Sequence, residues 1–211
     1  ESLSISTFLT DQFLGWPSDS CQPITTDAPW FAPLSYLRPH PPYTAAGRWA
    51  HEYDPEQVDL PTAPSNERHG FHEAVMQLPE TKAPSTEAGM RRLRAQYYGM
   101  ISEVDAQLGR IFAALRERGE WENTIVVITA DHGEQLGDHG LREKVGFFEQ
   151  SYRIIGMVRA PQLAGGHGRL VDAFTENVDI LPTLCDLVAA PNPAQSDGRS
   201  LVPWLTGDTP A

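Results

Sequence analysis

The sequence predicts an α/β protein in three layers, with a largely parallel sheet covered by helices. Three observations predict it. A helical periodicity runs from Thr86 to Arg118, and the apolar run Ile125-Val126-Val127-Ile128 follows at once. A second apolar run, Ile154 to Val158, precedes a further helical stretch at Asp179 to Val188. Helix followed by buried strand is the repeating unit of α/β folds. Four consecutive apolar residues suit a strand covered on both faces, as parallel strands are. The 211 residues are enough for one sizeable core.

The elements follow in order. Thr7 to Phe13 reads as the end of a helix, and Pro17 to Pro29, polar and proline-containing, as a loop. Trp30 to Leu37 is apolar and aromatic and reads as a short strand that Pro33 weakens. Arg38-Pro39-His40-Pro41-Pro42-Tyr43 is irregular, because three prolines fix φ and remove backbone donors. Residues 43–84 show little periodicity and read as a long loop or flap insertion. In the long helix, Leu93, Tyr97, Ile101, Val104, Leu108, Ile111 and Leu115 recur every three or four residues and form the expected core stripe. Thr86 is its expected N-cap, Glu87 suits the first turn, and Gly119 the stop. In the last helix Pro182 is tolerated only if the helix starts near Asp179.

Composition narrows the function classes. A net charge of -12 argues against nucleic-acid binding, which needs a basic face. No apolar run approaches the length of a membrane span. Cys21 and Cys185 make no disulfide framework, and the compartment, cytoplasmic or periplasmic or secreted, stays open. Glu1-Ser2-Leu3-Ser4 resembles no signal peptide and has no starting Met, so the natural start is expected to lie elsewhere.

The chemistry concentrates in Thr129-Ala130-Asp131-His132-Gly133-Glu134-Gln135-Leu136-Gly137-Asp138-His139-Gly140. This segment begins where the buried strand should end, the edge at which α/β sheets bind ligands. The carboxylate of Asp131 and the imidazole of His132 suit a divalent metal. Both reach one ion only if the chain turns, which Gly133 eases. A polar loop with surface carboxylates and a hydrogen-bonded histidine fits the same residues. Lys144 fits a cation that holds a substrate oxyanion, or a solvated surface lysine. His40, set among prolines, fits a proton donor to a leaving oxygen, or a hydrogen-bonded loop residue. Arg38 could grip a tetrahedral oxyanion with its planar fork or form a surface salt bridge.

Asp131-His132-Gly133-Glu134-Gln135-Leu136-Gly137-Asp138-His139, with Lys144 beyond, resembles the metal-site segment of the sulfatases in the alkaline phosphatase superfamily. Leu34 to Tyr43, Tyr97 to Asp105, Val178 to Leu184 and Asp197 to Leu201 match the family in the same order, so the resemblance spans roughly Thr7 to Leu205. Its flavour is that of phosphonate monoester hydrolases and arylsulfatases. The resemblance implies an alkaline-phosphatase-like fold and the C-terminal part of a catalytic domain over residues 1–211. It implies Asp131 and His132 as metal ligands, Lys144 on the substrate's anionic group, and His40 at the leaving group. It implies His139 behind the ligands; Arg38 is expected on the anion from its own chemistry and not from the resemblance. The implied cofactor is a divalent ion, calcium, manganese or zinc, and the implied substrate a small anionic ester. The family's nucleophile is formylglycine, an oxidised cysteine that attacks sulfur or phosphorus as a hydrated aldehyde.

The same comparison shows departures. Cys21-Gln22-Pro23-Ile24-Thr25 imitates the nucleophile motif Cys-x-Pro-x-Arg, but Thr25 replaces the arginine and the position is wrong. Ile155-Gly156 stands where the family often has Arg-Ile-Pro. The nucleophile, the first metal-binding carboxylates and a small C-terminal sheet are expected outside this chain, the first two in a missing N-terminal half of the same domain. A homo-oligomer is compatible with the sequence. Two other readings stay open: a non-catalytic fragment that binds an anion or a partner, and a superfamily phosphodiesterase with a Thr or Ser nucleophile.

Overall fold

The computed structural model describes residues 4–19, 29–166 and 168–207. They form two compact units, Glu1–Trp121 with Glu134–Ser151, and Glu122–Gly133 with Tyr152–Ala211.

The first unit is built on two helices. Helix α1 spans Ile5–Asp19, longer at both ends than the helix expected from Thr7 to Phe13. The Ser4 hydroxyl accepts the Thr7 amide and so opens it. The expected loop from Pro17 is helical as far as Asp19, and Cys21 to Thr25 lie outside the described residues. Trp30 to Leu37 is not a strand. Its residues alternate in exposure like a strand's, but Pro33 lacks a ladder donor and no strand pairs with it among the described residues. The Tyr36 hydroxyl instead meets Thr10 of α1 at 2.7 Å.

Residues 43–84 carry more structure than a bare loop. They hold 3-10 turns at Gly47–His51 and Pro55–Gln57 and a short helix α2, Gly70–Val75, and they bury Ala45, Val58, His72, Val75, Thr81 and Ala83. Helix α3 spans Glu87–Glu117. Thr86 caps it by accepting the Gly89 amide at 3.1 Å, and Gly119 follows in the left-handed region at φ 72°. Its buried face differs from the expected stripe. Leu93, Ile111 and Leu115 are buried, but so are Ala95, Gly99, Met100, Glu103 and Gln107, while Ile101 is 45% exposed. A small residue turns the face: Gly99 lets the Gly47–His51 turn approach until the Trp49 carbonyl lies against it. Helix α4, Glu149–Tyr152, ends the stretch that follows the Asp138–Lys144 region.

The second unit holds β1, Val126–Thr129, and β2, Gly156–Arg159, displaced by one and by one to two residues from the expected runs. They pair antiparallel, Val126 opposite Arg159 and Thr129 opposite Gly156. The expected parallel neighbour of β1 is therefore not β2. Both strands are at most half-buried rather than covered on two faces. Helix α5, Ile180–Leu187, starts just after Asp179, so Pro182 falls in its first turn as expected. Helix α6 is Val202–Thr206. Two of the motifs quoted above meet here. The buried Asp179 accepts the amides of Glu176 and Arg199 at 2.9 Å each, and Thr183 accepts that of Leu201 at 2.8 Å. Gly198 is required because a side chain there would run into the Val178 carbonyl.

Candidate functional site

In the second unit, β1 delivers Asp131 and His132. Asn177 fastens the strand's end: its Nδ2 donates to the Ala130 carbonyl at 2.8 Å, and its Oδ1 accepts the Thr129 hydroxyl at 2.8 Å. The chain then bends, and the Asp131 carboxylate accepts the His132 amide at 3.1 Å. His132 Nδ1 lies 2.8 Å from the Gly133 carbonyl. A carbonyl only accepts, so Nδ1 is the donor there, and Nε2 is the ring nitrogen left for another partner. That Nε2 lies 3.6 Å from Asp131 Oδ2. Asp131 is 89% exposed and His132 29%. The two donors therefore converge, as the strand-end bend expected from Gly133 allows. They fit a divalent ion as a ligand pair, and among the described residues no group of three or more metal-binding side chains forms.

In the first unit, residues 134–143 fold into a closed loop that leads to Lys144. At its neck the Gln135 amide donates to the Glu143 carbonyl at 3.1 Å, and the Glu143 amide donates to Glu134 Oε1 at 2.6 Å. The Leu136 amide adds a second bond to Glu134 Oε1 at 3.3 Å. Burial holds the Glu134 carboxyl above its usual range, against the lowering pull of the Tyr43 hydroxyl and these two amides. Asp138 ties the far end. Its Oδ1 accepts the Thr62 amide at 2.6 Å and Arg94 of α3 at 3.4 Å. His139 sits at φ 57°, its amide on the Thr62 carbonyl and its ring stacked 3.9 Å from Phe148. His72 Nε2 donates to the His139 carbonyl at 2.8 Å. His139 thus packs and pairs within its own unit. Lys144 is exposed and forms no hydrogen bond or ion pair among the described residues.

Arg38 and His40 share the proline-rich loop. Arg38 Nη1 donates to the Pro42 carbonyl at 2.8 Å and to Met100 Sδ at 3.0 Å, which ties the loop to α3. His40 is exposed, and its Nδ1 donates to the Pro41 carbonyl at 2.9 Å, leaving Nε2 available.

Sequence reasoning counted Glu134 among the carboxylates without giving it a task, and it missed Tyr43, Arg94 and Asn177. The run of three carboxylates over 131–138 was the available signal for Glu134 and Asp138. Nothing in the sequence marks Asn177, whose partners lie 47 and 48 residues away.

The chain belongs to the sulfatase family: the Sulfatase family model matches residues 7–190. The chain is 33% identical to the multifunctional alkaline phosphatase superfamily protein PehA of Trinickia caryophylli, over all of this chain and 43% of that protein. It is 32% identical to the choline-sulfatase of Rhizobium meliloti (strain 1021), over 85% of this chain and 36% of the other. The phosphonate monoester hydrolase of Agrobacterium radiobacter superposes with a TM-score of 0.86 at 36% identity, covering 99% of this chain and 43% of that structure. The fold is accordingly the α/β fold of these alkaline-phosphatase-like enzymes. The chain spans less than half the length of these relatives.

Proposed function

We propose that this chain is the C-terminal part of the catalytic domain of a metal-dependent hydrolase of sulfate monoesters or of phosphonate or phosphate esters, with residues 43–84 as an insertion. The observation that carries the reading is the placement of His132 Nε2 3.6 Å from the Asp131 carboxylate, with Nδ1 turned to the Gly133 carbonyl. These two residues would hold part of a divalent ion's coordination. The ion would supply positive charge against the anionic ester, and the formylglycine nucleophile is expected in a part of the protein that this chain does not hold.

This chain's residues then divide the remaining work. Lys144 places an ammonium on the transferred group's oxygens, where charge builds in the transition state. His40 would turn Nε2 toward the leaving oxygen, because Nδ1 is committed to Pro41, and it gives up a proton there only from the doubly protonated ring. Arg38 holds the His40 loop, and its N–H groups not bound to Pro42 or Met100 remain for the anion. His139 supports the loop before Lys144.

The test is turnover of 4-nitrophenyl sulfate and 4-nitrophenyl phenylphosphonate by the full-length protein, with calcium, manganese or zinc supplied. Asp131→Ala should abolish turnover and weaken metal uptake measured by equilibrium dialysis. Lys144→Ala should lower kcat/KM by roughly 10²-fold, the usual size of a lost transition-state contact. Full activity and metal content in the Asp131→Ala protein would overturn the reading. The 211-residue chain alone should be inert on both esters.

A further inference from the structure

The neck of the 134–143 loop carries a task that metal ligation and substrate binding leave unassigned. Glu143, the residue before Lys144, has a left-handed backbone at φ 67°. A residue with a Cβ adopts that conformation only where its surroundings over-determine it. Two bonds do so: the Glu143 carbonyl accepts the Gln135 amide at 3.1 Å, and its amide donates to the Glu134 carboxylate at 2.6 Å. The second is a charge-assisted bond in a half-buried setting, short and directional. Lys144 is exposed and otherwise unpaired among the described residues, so the path of its backbone is what aims it. We propose that Glu134 is a positioning residue that acts through Lys144, fixing where the ammonium stands by holding the Glu143 amide. This inference rests on the reading of Lys144 as the cation on the substrate.

The test is a double-mutant cycle in the full-length enzyme: Glu134→Ala, Glu134→Gln, Lys144→Ala and the two combinations, compared by kcat/KM on one aryl ester. A displacement of about 1 Å can cost on the order of 10²-fold in rate, so Glu134→Ala should approach the loss seen in Lys144→Ala. Glutamine keeps an oxygen that can accept the Glu143 amide, so Glu134→Gln should regain most of the rate. Once Lys144 is alanine, neither Glu134 change should cost anything further. A merely structural role would give equal losses with and without Lys144, and additivity of that kind overturns the proposal while leaving Lys144 in the site. An unchanged rate in Lys144→Ala overturns the reading of Lys144 itself, and the proposal with it. If Glu134→Ala fails to fold, Glu134→Met, which fills the space but cannot accept the Glu143 amide, takes its place in the cycle: a loss that vanishes in the Lys144→Ala background supports the proposal, and no loss or an additive one overturns it.

Discussion

Tyr43 and Tyr97 line the same interior as Glu134, with ring centroids 6.3 Å apart. Burial raises both phenols well above their ordinary range, and the Glu134 charge pushes the same way. The folded state then binds more protons than the unfolded one once the pH passes about 10, so stability falls as pH rises through that window. In a spectrophotometric titration these two phenols should stay silent until the protein unfolds. Tyr43→Phe should therefore leave the native absorbance step up to about pH 11 unchanged, and a smaller step in that variant would contradict the burial argument. Residue types revealed much at this scale. A carboxylate and an imidazole at a strand end suggest a metal whatever the surrounding structure. The duty of Glu134 was not legible, because it depends on an amide nine residues on that returns only when the loop closes.

Helix α3 shows how far a pattern reaches and where it stops. Its period, its Thr86 cap and its Gly119 stop are local features, and the structure keeps them. Which face it buries depends on what approaches, and here the approach is made at Gly99, which carries no apolar bulk to attract notice. Gly99→Ala tests this. Alanine favours helix by about 1 kcal/mol, but its Cβ would meet the Trp49 carbonyl, and overpacking of that kind typically costs about 1–3 kcal/mol. The variant should melt lower than the parent despite its better propensity, and an unchanged or higher Tm would show that the turn yields easily. Strand direction was equally hidden. The apolar run at 125–128 locates a strand, whereas its pairing with Gly156–Arg159 is set by a connection that no local pattern encodes.

Taken whole, the protein carries twelve more acidic than basic groups, and such self-repulsion opposes compaction. Among the described residues most ion pairs have an exposed partner and add little. Moving from low to physiological ionic strength should therefore raise the Tm at neutral pH, and a fall would mean that the pairs outweigh the repulsion. The in-order motifs made the family legible in the sequence, because each recurs at its place along the chain. The antiparallel ribbon of β1 and β2 has a practical consequence. Among the described residues each strand has a single strand neighbour, and both are short and partly apolar. A sheet edge of this kind is a template for another chain's backbone. Anyone purifying these 211 residues by themselves should expect concentration-dependent self-association, with a lysine placed at Met157, 52% exposed on β2, as the first remedy to try.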